Sequence, residues 1–445
     1  MRLTSLDSWI AAKVTQGGGR VTRSAIEAYQ LCRLDETLRL ARAKGGFYRK
    51  HLAAAPADLS CLADLARFPF TTAEDICDDA LQFLCVSQGD IHRVVTLDSS
   101  GTTGRPKRLY FTQDDQELTI DFFQVGMSTL VEAGDRVLIL LPGERPGSVG
   151  DLLAVGLQRL GVQGIKHGPV RDVARTLEAI IQDQVNAVVG VPTQVLALAR
   201  YQGDRGMSEP LKLKSVLLTT DHVPDAIART VEHAWGCDVY GHYGMTEMGL
   251  GGGVECQARR GYHLREADLY FEIVDPKTGR PLADGEKGEV VFTTLTRRGM
   301  PLIRYRTGDL GRFLLAPCPC GTVLKTMEPV RDRIAGQVTV GDGLCLTMAD
   351  LNDALFPIEA VVGFSATITR EENRDCLDLG VQVVPGAGET VSAVLVQALD
   401  SVPALRQARL AGHLNVTLEL QESDFRDLGS PAKRMLLDRR GRGAN

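Results

Sequence analysis

The sequence predicts an α/β protein in two parts: a large N-terminal domain over residues 1–330 and a smaller α+β domain over residues 331–445. The large part is expected to hold mixed, mostly parallel sheets plus a β-rich subdomain. Three observations predict this. Between residues 91 and 240, short apolar runs alternate with helical stretches, as in a parallel sheet covered on both faces. Between residues 268 and 312, β-rich runs are separated by turns such as Asp275-Pro276-Lys277-Thr278-Gly279. Past Val330, two short alternating runs and two more helical stretches stand apart from the motifs described below.

Composition bounds the answer. A chain of 445 residues can bury a large core, and 44% hydrophobic with 24% charged residues is ordinary for a globular protein. The net charge of −6 argues against nucleic acid or an anionic membrane as a general partner. No uncharged apolar run is long enough to span a bilayer. Met1 to Ile10 lacks the basic region and apolar core of a signal peptide, so a cytoplasmic protein is expected. In that setting the ten cysteines read as thiols or metal ligands rather than a disulfide framework.

In order along the chain, Ala25 to Ala43 has apolar residues at helical spacing, and Gly45-Gly46 ends it. Thr72 is placed to cap a helix carrying Glu74 and Asp75 in its first turn. Strands are expected at 94–97, 108–112, 137–141, 188–189 and 216–218. Helices are expected at 112–131, 149–160, 172–184, 193–200 and 225–234. In such folds ligands sit at the carboxyl ends of the strands. That makes Pro142-Gly143, Lys166-His167-Gly168, Gly190 to Thr193 and Thr219 to His222 candidate pocket loops, with His167 and His222 the ring side chains among them.

The densest chemistry lies in Ser99-Ser100-Gly101-Thr102-Thr103-Gly104-Arg105-Pro106-Lys107. Two glycines let the main chain approach a ligand, and four hydroxyls and two cations surround that backbone. A polyphosphate suits it. The β-rich flanks place the loop between two strands, which excludes a Walker A loop, since that loop opens a helix. The second motif is Tyr240 to Glu247. In it Tyr243 offers a flat face to a base, Thr246 a hydroxyl to a phosphate, and Glu247 a hard oxygen to Mg²⁺. The third is Arg304-Tyr305-Arg306-Thr307-Gly308-Asp309, where the Asp309 carboxylate can accept two hydrogen bonds from a ribose diol. Cys318 and Cys320, with Cys256 and His263 upstream, make either a structural Zn²⁺ site or a set of free thiols.

Together these segments resemble the adenylate-forming superfamily, and Thr293-Thr294-Leu295 followed by Pro301 to Tyr305 is nearest its phenylacetate–CoA ligase branch. The resemblance implies that Ser99, Ser100, Gly101, Thr102, Thr103, Gly104 and Lys107 hold phosphates. It implies that Tyr243 and Gly244 flank adenine, that Asp309 binds ribose, and that Glu247 holds Mg²⁺ beside Thr246. It places a catalytic lysine at Lys433, in a mobile lid, and a hinge at Arg331 or Arg333, although the hinge glycine is missing here. The implied reaction joins a carboxylic acid, aromatic by analogy, to coenzyme A through acyl-AMP. ATP, Mg²⁺ and CoA would be needed, Zn²⁺ would be structural, and the protein would form a homodimer. Two alternatives stay open: adenylate formation with an acceptor other than CoA, and a nucleotide-binding relative without turnover.

Overall fold

The computed structural model describes residues 2–15, 20–97, 106–204, 211–371, 374–388, 390–425 and 434–440. The chain forms two compact units. The first comprises Met1–Gly134, Gly143–Gly164 and Tyr240–Val330; the second comprises Asp135–Pro142, Ile165–Val239 and Arg331–Asn445. The last passage between them falls at Val330/Arg331.

The first unit starts with helices Ser5–Val14, Arg23–Lys44 and Gly46–His51. Gly45 ends the long helix as expected, but a single further turn restarts at once. The opening helix is tied to remote segments: Ser5 Oγ donates to the Val125 carbonyl at 2.7 Å, Trp9 Nε1 to Asp121 at 3.0 Å, and Thr322 Oγ1 to Asp7 at 2.7 Å. Thr72 and Thr112 both cap their helices as reciprocal capping boxes, with Asp75 and Asp115 returning the bond to the cap N–H. Strands Ile91–Leu97 and Lys107–Thr112 pair antiparallel, with Leu97 opposite Lys107, so the segment between them closes a hairpin.

Two antiparallel arrays complete this unit. Leu269–Val274 pairs with Gly288–Thr294, which pairs in turn with Tyr305–Gly311. The other array runs from the end of Asp238–Tyr243 through Gly253–Glu255 and Tyr262–Leu264 to Thr326–Met327. The core between them is rich in rings, including Tyr48, Phe68, Phe111, Phe271, Phe292 and Tyr305. Within it lies Arg304, 1% exposed and at φ +47°. Its guanidinium bonds both oxygens of Glu272, at 3.1 and 2.9 Å, and the carbonyls of Ala66 and Phe68, and it covers the Phe70 ring at 4.0 Å.

The second unit is built on parallel pairing. Arg136–Ile139 lies beside Ala187–Gly190, and Ala187–Gly190 beside Ser215–Leu218. Helices Val173–Gln182, Pro192–Asp204 and Asp225–Trp235 alternate with these strands. The C-terminal stretch of the unit forms a mixed sheet. Val361–Glu371 pairs antiparallel with Arg374–Val383, which runs parallel to Leu414–Glu422. Helices Thr390–Asp400 and Pro403–Leu410 are the two helical stretches expected past Val330. One apolar cluster holds Leu138, Val188 and Val216 together with Val338, Leu379 and Leu395, which is why segments so distant in sequence group as one body.

Candidate functional site

The strand Tyr305–Gly311 alternates buried and half-buried positions, so Tyr305, Thr307 and Asp309 share its buried face. Thr307 Oγ1 donates to the Val290 carbonyl and accepts the Asp309 N–H, which fixes the backbone just ahead of the carboxylate. Gly308 between them stands at φ +72°, where a side chain would be strained. Asp309 accepts a 2.9 Å hydrogen bond from Tyr243 Oη. Tyr243 stacks on Tyr262, with ring centres 5.9 Å apart and planes at 20°.

Glu247 enters from the turn Thr246–Met248 and is 2% exposed. Its Oε1 accepts hydrogen bonds from Lys107 Nζ and, at 3.1 Å, from Tyr305 Oη; Lys107 Nζ lies 3.3 Å from the same Tyr305 oxygen. The Glu247 carbonyl accepts from Arg297, whose guanidinium also bonds the Tyr110 carbonyl and covers Phe111 at 4.3 Å. Burial alone would raise the Glu247 carboxyl, but the Lys107 charge and these hydrogen bonds outweigh it and hold the group below the usual carboxylate range. Glu247 is therefore ionised at neutral pH. Gly244 is fixed by space, because a Cβ there would lie 2.4 Å from the Leu250 carbonyl oxygen.

Three segments far apart in sequence thus meet: Lys107 from the hairpin, Tyr243 to Glu247, and Tyr305 to Asp309. Thr246 lies half-buried next to Glu247, its carbonyl capped by the Gly249 N–H. Arg331 sits in the second unit, paired with Asp353. Ser99, Ser100, Gly101, Thr102, Thr103, Gly104 and Lys433 lie outside the described residues. In the second unit the His167 ring is engaged by the Gly168 carbonyl and Thr176 Oγ1. His222 is largely buried, and burial first, then Arg331, holds its imidazole below the ordinary range. Sequence reasoning missed Tyr305, which joins Lys107 to Glu247. Period-two spacing from Asp309 would have placed it on the same face.

The expected metal ligands also converge. Cys256, His263, Cys318 and Cys320 are all buried, and their ligand atoms lie within 4.8 Å of one another. The Cys256 and Cys318 sulfurs are 3.6 Å apart, and Cys320 Sγ is 3.5 Å from His263 Nε2. Two thiolates on one tetrahedral zinc stand about 3.8 Å apart, so the spacing suits that ion. Thr326 Oγ1 lies 3.3 Å from His263 Nδ1 and can accept a hydrogen bond from Nδ1–H, which leaves the unprotonated Nε2 to face the cysteines. Burial keeps the imidazole neutral, its pKa brought down to about 4. Four protein ligands leave no open position, so such a centre would brace loops rather than do chemistry.

The chain is similar to known proteins. The family described as AMP-binding enzyme matches residues 93–295. A phenylacetate–coenzyme A ligase of Thermus thermophilus is 31% identical over 422 residues, covering 89% of this chain and 92% of that protein. One from Pseudomonas putida is 33% identical over 303 residues, covering 65% and 67%. The fold is shared with a 2-hydroxyisobutyryl-CoA ligase solved in its postadenylation state, at a TM-score of 0.79 and 22% identity over 94% of this chain and 90% of that one. No helix among the described residues is long and apolar enough to cross a membrane. On the identity to the Thermus enzyme along nearly the whole of both chains, this chain belongs to the adenylate-forming, AMP-binding enzyme family, in its phenylacetate–coenzyme A ligase branch.

Proposed function

We propose that this chain is an ATP-dependent, AMP-forming acid–thiol ligase that activates a carboxylic acid and passes the acyl group to coenzyme A. The observation that carries the reading is the convergence of three distant segments in one unit, where Lys107 and Tyr305 both bond Glu247 and Tyr243 bonds Asp309. The acid is taken to be aromatic, as the names of the curated relatives suggest. A carboxylate oxygen attacks the α-phosphorus of ATP and pyrophosphate leaves. The CoA thiol then attacks the acyl carbon and AMP leaves. In this reading Asp309 accepts hydrogen bonds from the ribose diol, Tyr243 offers its face to adenine, and Lys107 neutralises phosphate charge. Gly244 leaves room beside the base. A Mg²⁺ ion on the ionised Glu247, with the Thr246 hydroxyl beside it, would supply positive charge to the phosphate oxygens; one carboxylate plus phosphates is the donor set this ion prefers.

Residues 99–104 are assigned to the departing pyrophosphate and Lys433 to the transition-state charge, both on sequence grounds. Residues 1–330 would carry the nucleotide and acyl site, and residues 331–445 the lid, with Arg331 near its hinge. Carboxylate-dependent exchange of labelled pyrophosphate into ATP tests the first half-reaction. Thioester formation on adding CoA tests the second and separates this reading from a non-CoA acceptor. No exchange with any of a broad panel of acids would leave a nucleotide-binding protein without turnover. Lys433→Ala is expected to lower adenylation at least a hundredfold while sparing thioester formation from supplied acyl-AMP. Equal loss of both would remove the assignment.

The four buried ligands are assigned to a structural Zn²⁺. The double substitution Cys318→Ser, Cys320→Ser is expected to abolish stoichiometric zinc on metal analysis and to lower the melting temperature by at least about 5 °C. A parent protein without zinc would overturn the assignment.

A further inference from the structure

Glu247 poses a problem that the proposed chemistry does not resolve. A carboxylate this deeply buried needs a compensating charge whether or not a ligand is present. The compensation is built in. Lys107 Nζ and Tyr305 Oη both donate to the same oxygen, Oε1, and the two donors are themselves 3.3 Å apart. Lys107 is held at the first position of its strand, opposite Leu97, and its side chain is 16% exposed. The ammonium therefore stands where a cation on that oxygen would have to go.

We propose that Lys107 is a resident counter-ion that reserves the Glu247 carboxylate, so that a divalent metal binds there only when an anionic ligand draws the ammonium away. A bare divalent ion arriving at Oε1 meets a positive charge already in hydrogen-bond contact and offers that charge no new partner. A polyphosphate changes the balance because it gives the ammonium an alternative anion. Metal and nucleotide then bind with positive coupling, and by linkage each raises the affinity of the other by the same factor. The device rests on the adenylate-forming reading only for the identity of the ligand that displaces Lys107. The counter-ion pair itself does not depend on it.

The test is Mn²⁺ binding to the full chain, read from the loss of the free-ion electron paramagnetic resonance signal. Any site that survives in Glu247→Gln belongs elsewhere and is subtracted. The wild type is expected to show no Glu247-dependent site with Mn²⁺ alone. It should gain one, with a dissociation constant at least tenfold below the highest Mn²⁺ concentration tested alone, when a non-hydrolysable ATP analogue is added. Lys107→Met is expected to bind Mn²⁺ through Glu247 without nucleotide, with a dissociation constant at least tenfold below the highest concentration at which the wild type shows no such site, and to lose that site in Lys107→Met, Glu247→Gln. A Glu247-dependent site in the wild type without nucleotide overturns the proposal. So does a folded Lys107→Met that gains none. Should Lys107→Met not fold, the wild type and Glu247→Gln alone decide it. If Lys107→Met gains the site while no form of the protein binds nucleotide, the counter-ion stands and the adenylate-forming reading falls.

Discussion

Glu247→Gln is expected to lower carboxylate-dependent pyrophosphate exchange by about 10²- to 10³-fold, the scale on which enzymes lose a preorganised electrostatic group. The substitution is nearly isosteric, and the amide oxygen can still accept from Lys107 and Tyr305. Stability should therefore fall by only about 1–3 kcal/mol, since Lys107, 16% exposed, loses its charged partner but keeps a hydrogen-bond acceptor. What disappears is a full negative charge in a buried place, which the Lys107 charge and two hydrogen bonds keep ionised against the effect of burial. Exchange measured at saturating ATP and Mg²⁺, beside a melting curve, separates lost chemistry from lost folding. A drop of less than about tenfold would remove Glu247 from the centre of the reaction.

Arg304→Met is expected to have the largest effect on stability, a loss of about 3–5 kcal/mol, because it strands one member of a buried ion pair. Glu272 would be left nearly fully buried without its bidentate partner, and burial already pushes its carboxyl above the usual range. The carbonyls of Ala66 and Phe68 lose a donor in the same step. The left-handed backbone at Arg304 costs about 1–2 kcal/mol that these bonds normally offset. The double substitution Arg304→Met, Glu272→Met should recover a large part of the loss, since no charge is then stranded. Denaturant midpoints of the two variants check this. A single variant as stable as the wild type would contradict it.

The candidate site was legible because three short runs, each ambiguous by itself, together resemble one known family. Tyr243, Glu247 and Asp309 were singled out only once their runs were read together with Ser99 to Lys107 and with the family they resemble, and the structure brings their segments together. The Lys107–Glu247 pair spans 140 positions, and no local pattern announces it. Tyr305 was readable from the alternation of its strand but was passed over in favour of the charged residue four positions on. The helix limits were legible where a cap marks them, as at Thr72 and Thr112. The restart at Gly46–His51 was not, because Gly45-Gly46 reads as a stop and the turn beyond it is anchored by the buried Tyr48 ring, whose partners Thr71 and Ile303 lie far along the chain. The grouping of Asp135–Pro142 and Ile165–Val239 with the C-terminal segment was hidden for a similar reason. A shared apolar core leaves no mark in any one segment.

The opening helix has a consequence for how this protein comes off the ribosome. Its anchors at Asp121, Val125 and Thr322 mean that Ser5–Val14 emerges long before its last partner exists. At ordinary translation speeds that wait lasts between roughly a quarter of a minute and a minute. The ties to Asp121 and Val125 can form in the first part of it, but the buried Asp7 carboxylate waits for Thr322 to the end. The native setting of this helix is thus completed only once synthesis has passed the cysteine loop.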